Sequence, residues 1–217
     1  MIVLAFFSCP FFGIKGNTMT KTTIDLIRHG EPEGGSRYRG YNVDDPLSEK
    51  GWSQMWAAVG DYDEWDIIIT SPLQRCRAFA EALGEKRNIS VVVEKNLKEV
   101  GFGSWEGKTP AEIKEKNLVE FDAFYADPVN NRPEGAEPLD EFIQRVVGVY
   151  TEVVEKYSGK HLLIVAHAGV NRALIANAID ASPAGMYRID VRNAGLSRVV
   201  GCGKGNNKLE FHNFMSL

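Results

Sequence analysis

The chain has 217 residues, 44% hydrophobic and 25% charged, with a formal net charge of −4. That length can bury one sizeable core in a single domain, and the composition is ordinary for a soluble globular protein. The acidic balance excludes a general nucleic-acid binder, which needs a basic face.

Ile2 to Phe12 is strongly apolar, and Gly13 to Thr20 is polar and turn-like. A secretory signal would place basic residues before the apolar run, and none precedes Ile2; the run is also too short to span a bilayer. Residues 1–20 are therefore expected as an extension outside the fold, with Met19 an alternative start, and 21–217 as the domain. Three scattered cysteines, Cys9, Cys76 and Cys202, have neither metal-site nor disulfide spacing, so a reducing compartment, the cytoplasm, is expected.

Thr22 to Arg28 reads as a strand, followed by a glycine- and arginine-bearing loop, Glu31 to Pro46. Ser48 to Val59 reads as a helix, and Asp66 to Thr70 as a short buried strand. Ser71-Pro72-Leu73-Gln74 has the form of a capping box with proline at the first helical position, opening a helix that stops at Gly84. Ser90 to Val93 is a third strand. Thr109-Pro110-Ala111-Glu112 repeats the capping pattern for another helix, and 117–137 mixes helix and loop. Leu139 to Tyr157 is a long amphipathic helix, His161 to Ala166 a strongly hydrophobic strand and Val170 to Ala178 a helix. Ser197 to Val200 and Leu209 to His212 close the pattern. Strands separated by helices predict an α/β fold, a three-layer α/β/α sandwich on a mostly parallel sheet.

Three strand ends look alike. Arg28-His29-Gly30 ends the first strand, Ser71 with Arg75 one turn later follows the second, and His167-Ala168-Gly169 follows the strand ending at Ala166. Ligands of open α/β sheets collect at the carboxyl ends of strands, where helix N-termini add N–H donors suited to anions. A histidine between an arginine and a glycine can attack phosphorus while the arginine holds a phosphate oxygen and the glycine turns the chain around the anion. No metal-ligand cluster, P-loop or dinucleotide fingerprint is present, so no cofactor is expected.

Arg28-His29-Gly30-Glu31, Leu47 to Gln54, Thr70-Ser71-Pro72-Leu73-Gln74-Arg75 to Ala78, Leu97 to Gly107 and Val165 to Val170 stand in order and together resemble the motif series of the histidine phosphatase superfamily, the phosphoglycerate-mutase-like proteins. Gly34 to Gly40 and the block from Trp65 to Cys76 are most similar to the α-ribazole-5'-phosphate phosphatases of cobalamin nucleotide-loop assembly. The resemblance implies hydrolysis of a small phosphomonoester through a phosphohistidine on His29. Arg28 and Arg75 would clamp the phosphoryl oxygens, His167 would add a third donor, and Glu99 would serve as acid and then base. Acid work near neutral pH needs a raised carboxyl pKa. Related sugar-phosphate or nucleotide phosphatases are the alternative. A mutase is disfavoured by the missing basic insert before Pro133, and a non-catalytic phosphate-binding module by the presence of His29, Glu99 and His167.

The resemblance departs where many members carry an asparagine after the nucleophile. Here the stretch is Pro32 to Ser36, and Arg37 or Arg39 could substitute; Ala168, where glycine is commoner, still offers its N–H. Each residue has a plainer reading as well. Arg77 is expected to be a surface or pairing residue, Glu106 a structural turn residue, and His161 and His212 ordinary strand residues. At most two of Tyr38, Tyr41, Phe102 and Trp105 are expected to wall the pocket.

Overall fold

The computed structural model describes residues 20–201 and 207–217. The expected N-terminal extension lies outside these residues except for Thr20, as do Cys9 and Cys202. Among the described residues, β1 (Thr22–Arg28), β2 (Ile67–Thr70), β3 (Ser90–Val93), β4 (His161–Ala166), β5 (Leu196–Gly201) and β6 (Lys208–Phe214) form one sheet in the order β3-β2-β4-β1-β5-β6. The first four of that order run parallel; β5 pairs antiparallel with β1, and β6 with β5. Five α-helices connect them: α1 (Glu49–Val59), α2 (Gln74–Arg87), α3 (Pro110–Ala126), α4 (Leu139–Lys156) and α5 (Ala168–Ala178).

The hydrophobic run of β4 follows from its central place. Leu162, Ile164 and Ala166 pack with Phe142, Val146 and Val149 of α4 and Val170 and Leu174 of α5. Leu163 and Val165 point the other way, among Met55 and Val59 of α1 and Phe79 and Leu83 of α2. A parallel strand covered on both faces carries no polar alternation. The result is the expected α/β/α sandwich. A third cluster, Trp105, Ile113, Phe121 and Phe124, sits under α3.

Local chemistry explains the helix starts. At α3 the Thr109 hydroxyl accepts from Glu112 N at 3.2 Å and the Glu112 carboxylate accepts from Thr109 N at 2.7 Å, the capping box the sequence predicts. The equivalent at α2 is not made. The Ser71 hydroxyl turns instead to His167 Nε2 at 2.7 Å, and at the helix start Asp44 Oδ1 accepts from Gln74 N at 2.8 Å. Nor does Gly84 end α2, which continues to Arg87 and closes on Asn88 in the left-handed region (φ 55°). Gly84 is small for another reason: a Cβ there would overlap the Val91 side chain. α5 starts at Ala168, two residues earlier than expected.

Asp25, in the middle of β1, is fully buried and receives four donors. Arg198 Nε reaches Oδ1 at 2.7 Å; Arg198 Nη2, Trp65 Nε1 and His161 Nε2 reach Oδ2 at 2.9, 2.8 and 2.9 Å. Burial pushes this carboxyl up, but the bonds from Arg198, His161 and Trp65 outweigh it and hold the pKa below 3.8. The stability contributed by a depressed carboxyl is present above its unfolded pKa and lost as pH falls through the folded one. Asp25→Asn should cost about 3 kcal/mol in urea unfolding at neutral pH, because it strands the guanidinium opposite. The variant should also lose less stability than the wild type on acidification below pH 3.8, a comparison made with the same urea titration.

Candidate active site

β4 lies between β1 and β2, so their three carboxyl ends emerge side by side. His29 N donates to Ala166 O at 2.9 Å, and Ser71 N donates to Val165 O at 3.1 Å. His29 and His167 meet edge to face, with ring centroids 5.2 Å apart. In front of His29 opens a cavity of about 290 Å³.

His29 is 5% exposed, and its Nδ1 lies 2.7 Å from Gly30 O. A carbonyl only accepts, so Nδ1 carries the proton and the lone pair is on Nε2, which has no partner among the described residues. Burial first, then the charges of Arg28 and Arg75, hold the imidazole well below 6.5. The ring is therefore neutral, with its nucleophilic nitrogen available to the cavity. Gly30 has a different reason from the one expected. It needs no unusual turn; a Cβ there would collide with the backbone of Gly51 in the first turn of α1.

Arg28 and Arg75 flank the histidine. Arg28 Nη1 donates to Val191 O at 2.7 Å; Arg75 Nη1 and Nη2 donate to Val43 O and Gly40 O at 3.0 and 2.9 Å. Both Nε atoms are buried without a partner. Burial lowers Arg28 to about 10, so it stays cationic at neutral pH. Both arginines line the cavity.

Glu99 also lines it, at 8% exposure. Val100 N donates to Oε1 at 2.9 Å, and Gly169 N, in the first turn of α5, donates to Oε2 at 3.2 Å. Ala168 is at the cavity wall beside it. His167 is fully buried and is not among the residues lining the cavity. Its ring stands behind His29, with Nε2 on Ser71 Oγ. Ser71 Oγ accepts from Leu73 N at 3.3 Å, which leaves its own proton for the imidazole. Burial, then Arg75 and His29, keep His167 well below 6.5.

Tyr38, Phe102, Tyr125 and Tyr187 give the cavity an aromatic wall, and Arg37, Arg39 and Arg172 line it as well. Arg37 donates to Gly34 O and Gly107 O at 3.0 and 2.9 Å, and Arg39 pairs with Asp45 at 2.8 Å. The Tyr38 and Tyr125 hydroxyls meet at 2.6 Å. Of the four aromatics weighed from the sequence, Tyr38 and Phe102 reach the cavity. Trp105 is buried under α3, and Tyr41 lies beneath the Lys98 ammonium. Glu106 is structural, accepting from Phe102 N at 2.9 Å and Asn42 N at 3.2 Å, and Arg77 pairs with Glu81 at 2.7 Å.

Sequence reading missed Arg172, although it stands four residues after Ala168 and so shares its helix face. Tyr125 and Tyr187 left no local signal, since only the tertiary fold brings α3 and the segment 183–188 to this wall. Among the described residues no group of three or more His, Cys, Asp or Glu side chains is placed to hold a metal, and no helix is long and apolar enough to cross a membrane.

Residues 24–214 match the family model of the histidine phosphatase superfamily (branch 1). A bifunctional protein of Mycobacterium tuberculosis is 32% identical over 189 residues, covering 85% of this chain and 52% of that protein. The chain thus spans about half the length of the mycobacterial curated relatives it matches over 189 residues. A mycobacterial glucosyl-3-phosphoglycerate phosphatase superposes with a TM-score of 0.80 at 26% identity, over 90% of this chain and 99% of that one. The alpha-ribazole phosphatase from Shigella flexneri superposes with a TM-score of 0.77 at 25% identity, over 90% and 98%.

A Cβ at Gly169 would overlap Glu99 Oε1. Gly169→Ala should lower stability by about 1–3 kcal/mol, because the added methyl meets the buried Glu99 and Val100 side chains. It should also cut phosphate release at least about tenfold by displacing the carboxylate. A melting curve and a turnover assay on the same preparation check both.

Proposed function

From its place in the histidine phosphatase superfamily, we propose that this chain hydrolyses a small phosphomonoester through a phosphohistidine on His29, without a metal. One observation carries the reading: a buried, neutral imidazole, its Nδ1–H tied to Gly30 O, presents Nε2 to a cavity walled by guanidinium groups. Nε2 attacks phosphorus, and the ester P–O bond breaks as the N–P bond forms. Arg28 and Arg75 stabilise the charge on the transferring group, where most phosphoryl-transfer catalysis lies. Their Nε–H groups have no partner among the described residues. Glu99 gives its proton to the departing alkoxide. It then takes one from the water that attacks phosphorus, the N–P bond breaks, and inorganic phosphate leaves. His167 supports His29 from behind, and the Ala168 N–H at the start of α5 faces the anion.

The alcohol we assign is α-ribazole, the 5'-phosphate being processed in the cytoplasm during assembly of the cobalamin nucleotide loop. The wall of Tyr38, Phe102, Tyr125 and Tyr187 supports a planar base, and the likeness to the Shigella enzyme agrees. Arg37, Arg39 and Arg172, which line the cavity as well, favour a second reading, a sugar phosphate or nucleotide with an acidic or polar leaving group. Turnover of α-ribazole 5'-phosphate, 3-phosphoglycerate and nucleoside monophosphates separates the two; a kcat/KM for the first no higher than for the others removes α-ribazole.

His29→Ala should abolish acid-labile labelling by substrate phosphate and lower turnover by roughly three orders of magnitude. A label or turnover that survives means the nucleophile lies elsewhere. Activity should persist in EDTA, and complete dependence on added Mg²⁺ or Zn²⁺ overturns the mechanism. Protonating His29 removes the nucleophile, and its pKa lies well below 6.5. The acid limb of kcat/KM should therefore begin below that pH, as a pH–rate profile would show.

A further inference from the structure

Arg145 and Glu137 do not line the cavity, yet they organise the segment that carries Glu99. Residues 98–101 follow a single 3₁₀ turn, Lys95–Leu97, and belong to no helix or strand, so their backbone groups must find partners elsewhere. Arg145, on α4, supplies them. Its Nη1 donates to Asn96 O at 2.6 Å and Lys98 O at 2.8 Å, and Nη2 donates to Glu99 O at 3.0 Å. The same guanidinium grips Glu137 on both oxygens, Nε to Oε1 at 2.7 Å and Nη2 to Oε2 at 2.9 Å. Glu137 in turn takes hold of Gly101: Oε2 accepts from Gly101 N at 3.0 Å, and Glu137 N donates to Gly101 O at 3.2 Å. The pair is largely shielded from solvent, at 15% and 11% side-chain exposure.

We propose that Arg145 and Glu137 are positioning residues that hold the Glu99 carboxylate at the cavity wall, so that it can protonate the leaving alkoxide. The proposal rests on Glu99 being the acid. A planar guanidinium with five donors can bind three carbonyls and a carboxylate at once; a lysine ammonium has three donors and no fork. Without the clamp the Val100 and Gly169 N–H groups still attract the carboxylate, but the backbone beneath it is free to shift. Misplacement by about 1 Å is enough to impair proton transfer.

The test compares kcat/KM on two esters for the wild type, Arg145→Lys, Glu137→Gln and Glu99→Gln. This quantity reports steps up to departure of the alcohol. p-Nitrophenolate leaves without a proton, whereas the alkoxide of glycerol 2-phosphate requires one. Each of the three variants should lose at least about tenfold more on glycerol 2-phosphate than on p-nitrophenyl phosphate. The ratio of the two losses does not depend on how much of a preparation is folded, so a merely structural defect leaves it at one. If Glu99→Gln shows the difference and the clamp variants lower both esters equally, the positioning role is wrong. If Glu99→Gln itself treats the two esters alike, the assignment of the acid has failed, and the clamp has no carboxyl to serve.

Discussion

Two guanidinium groups, those of Arg28 and Arg75, are held inside the protein by hydrogen bonds to carbonyl oxygens; Asp44 lies 3.7 Å from Arg75, and the Glu99 carboxylate acts on Arg28 from across the cavity. Much else in the structure serves this arrangement. The loop through Gly40 and Val43 and the one through Val191 are shaped to present those carbonyls. A carbonyl satisfies a donor without cancelling its charge, so the positive field survives for a ligand. Interior charges act strongly because little water screens them. Burial first, and then the same field that would draw a phosphate dianion, lower the pKa of His29 and His167.

Along the single strand β1 the protein treats buried charge in two opposite ways. Asp25 has both oxygens bonded, by Arg198, Trp65 and His161. Three residues later Arg28 keeps a buried Nε without a partner. A group with both oxygens bonded fixes the sheet; an unmatched charge at a cavity wall is of the kind expected where a fold gives up stability for function. β1 is flanked by β4 and β5 over its whole length, and that support lets its end tolerate the unmatched charge.

Much of this was legible in the sequence because the physics was local. The run Leu162 to Ala166 announced a strand buried on both faces, and Thr109 with Glu112 announced a helix start. Arg28-His29 and Arg75 stand at one cavity as expected of strand ends in such sheets, whereas His167, expected as a third donor to the phosphoryl group, stands off the cavity with Nε2 on Ser71. What escaped was set by tertiary competition. Ser71 has the sequence of a cap, yet a buried imidazole is the partner it takes, while Asp44, distant in sequence, accepts from Gln74 N at the helix start. Gly84 looks like a stop but is an accommodation to Val91 across the α2–β3 contact. Arg145 sits in an amphipathic helix as one polar residue among many, and nothing near it in the chain marks the carbonyls of residues 96–99 as its partners. The kink at Asn117, whose side chain accepts from Glu120 N, is likewise hidden in an otherwise helical stretch.

The aromatic cluster under α3 is a packing unit distinct from the two cores that flank the sheet. In the function we propose, phosphoryl chemistry is anchored to the sheet, while the surface that would meet the alcohol is built on α3 and the tyrosines tied to it. The two can therefore change at different rates over evolutionary time. Replacing Tyr125 or reshaping the kinked helix would alter which alcohol fits while leaving the arginines, the histidine and their supporting carbonyls in place. A lineage with this architecture can try new metabolites without putting its reaction at risk.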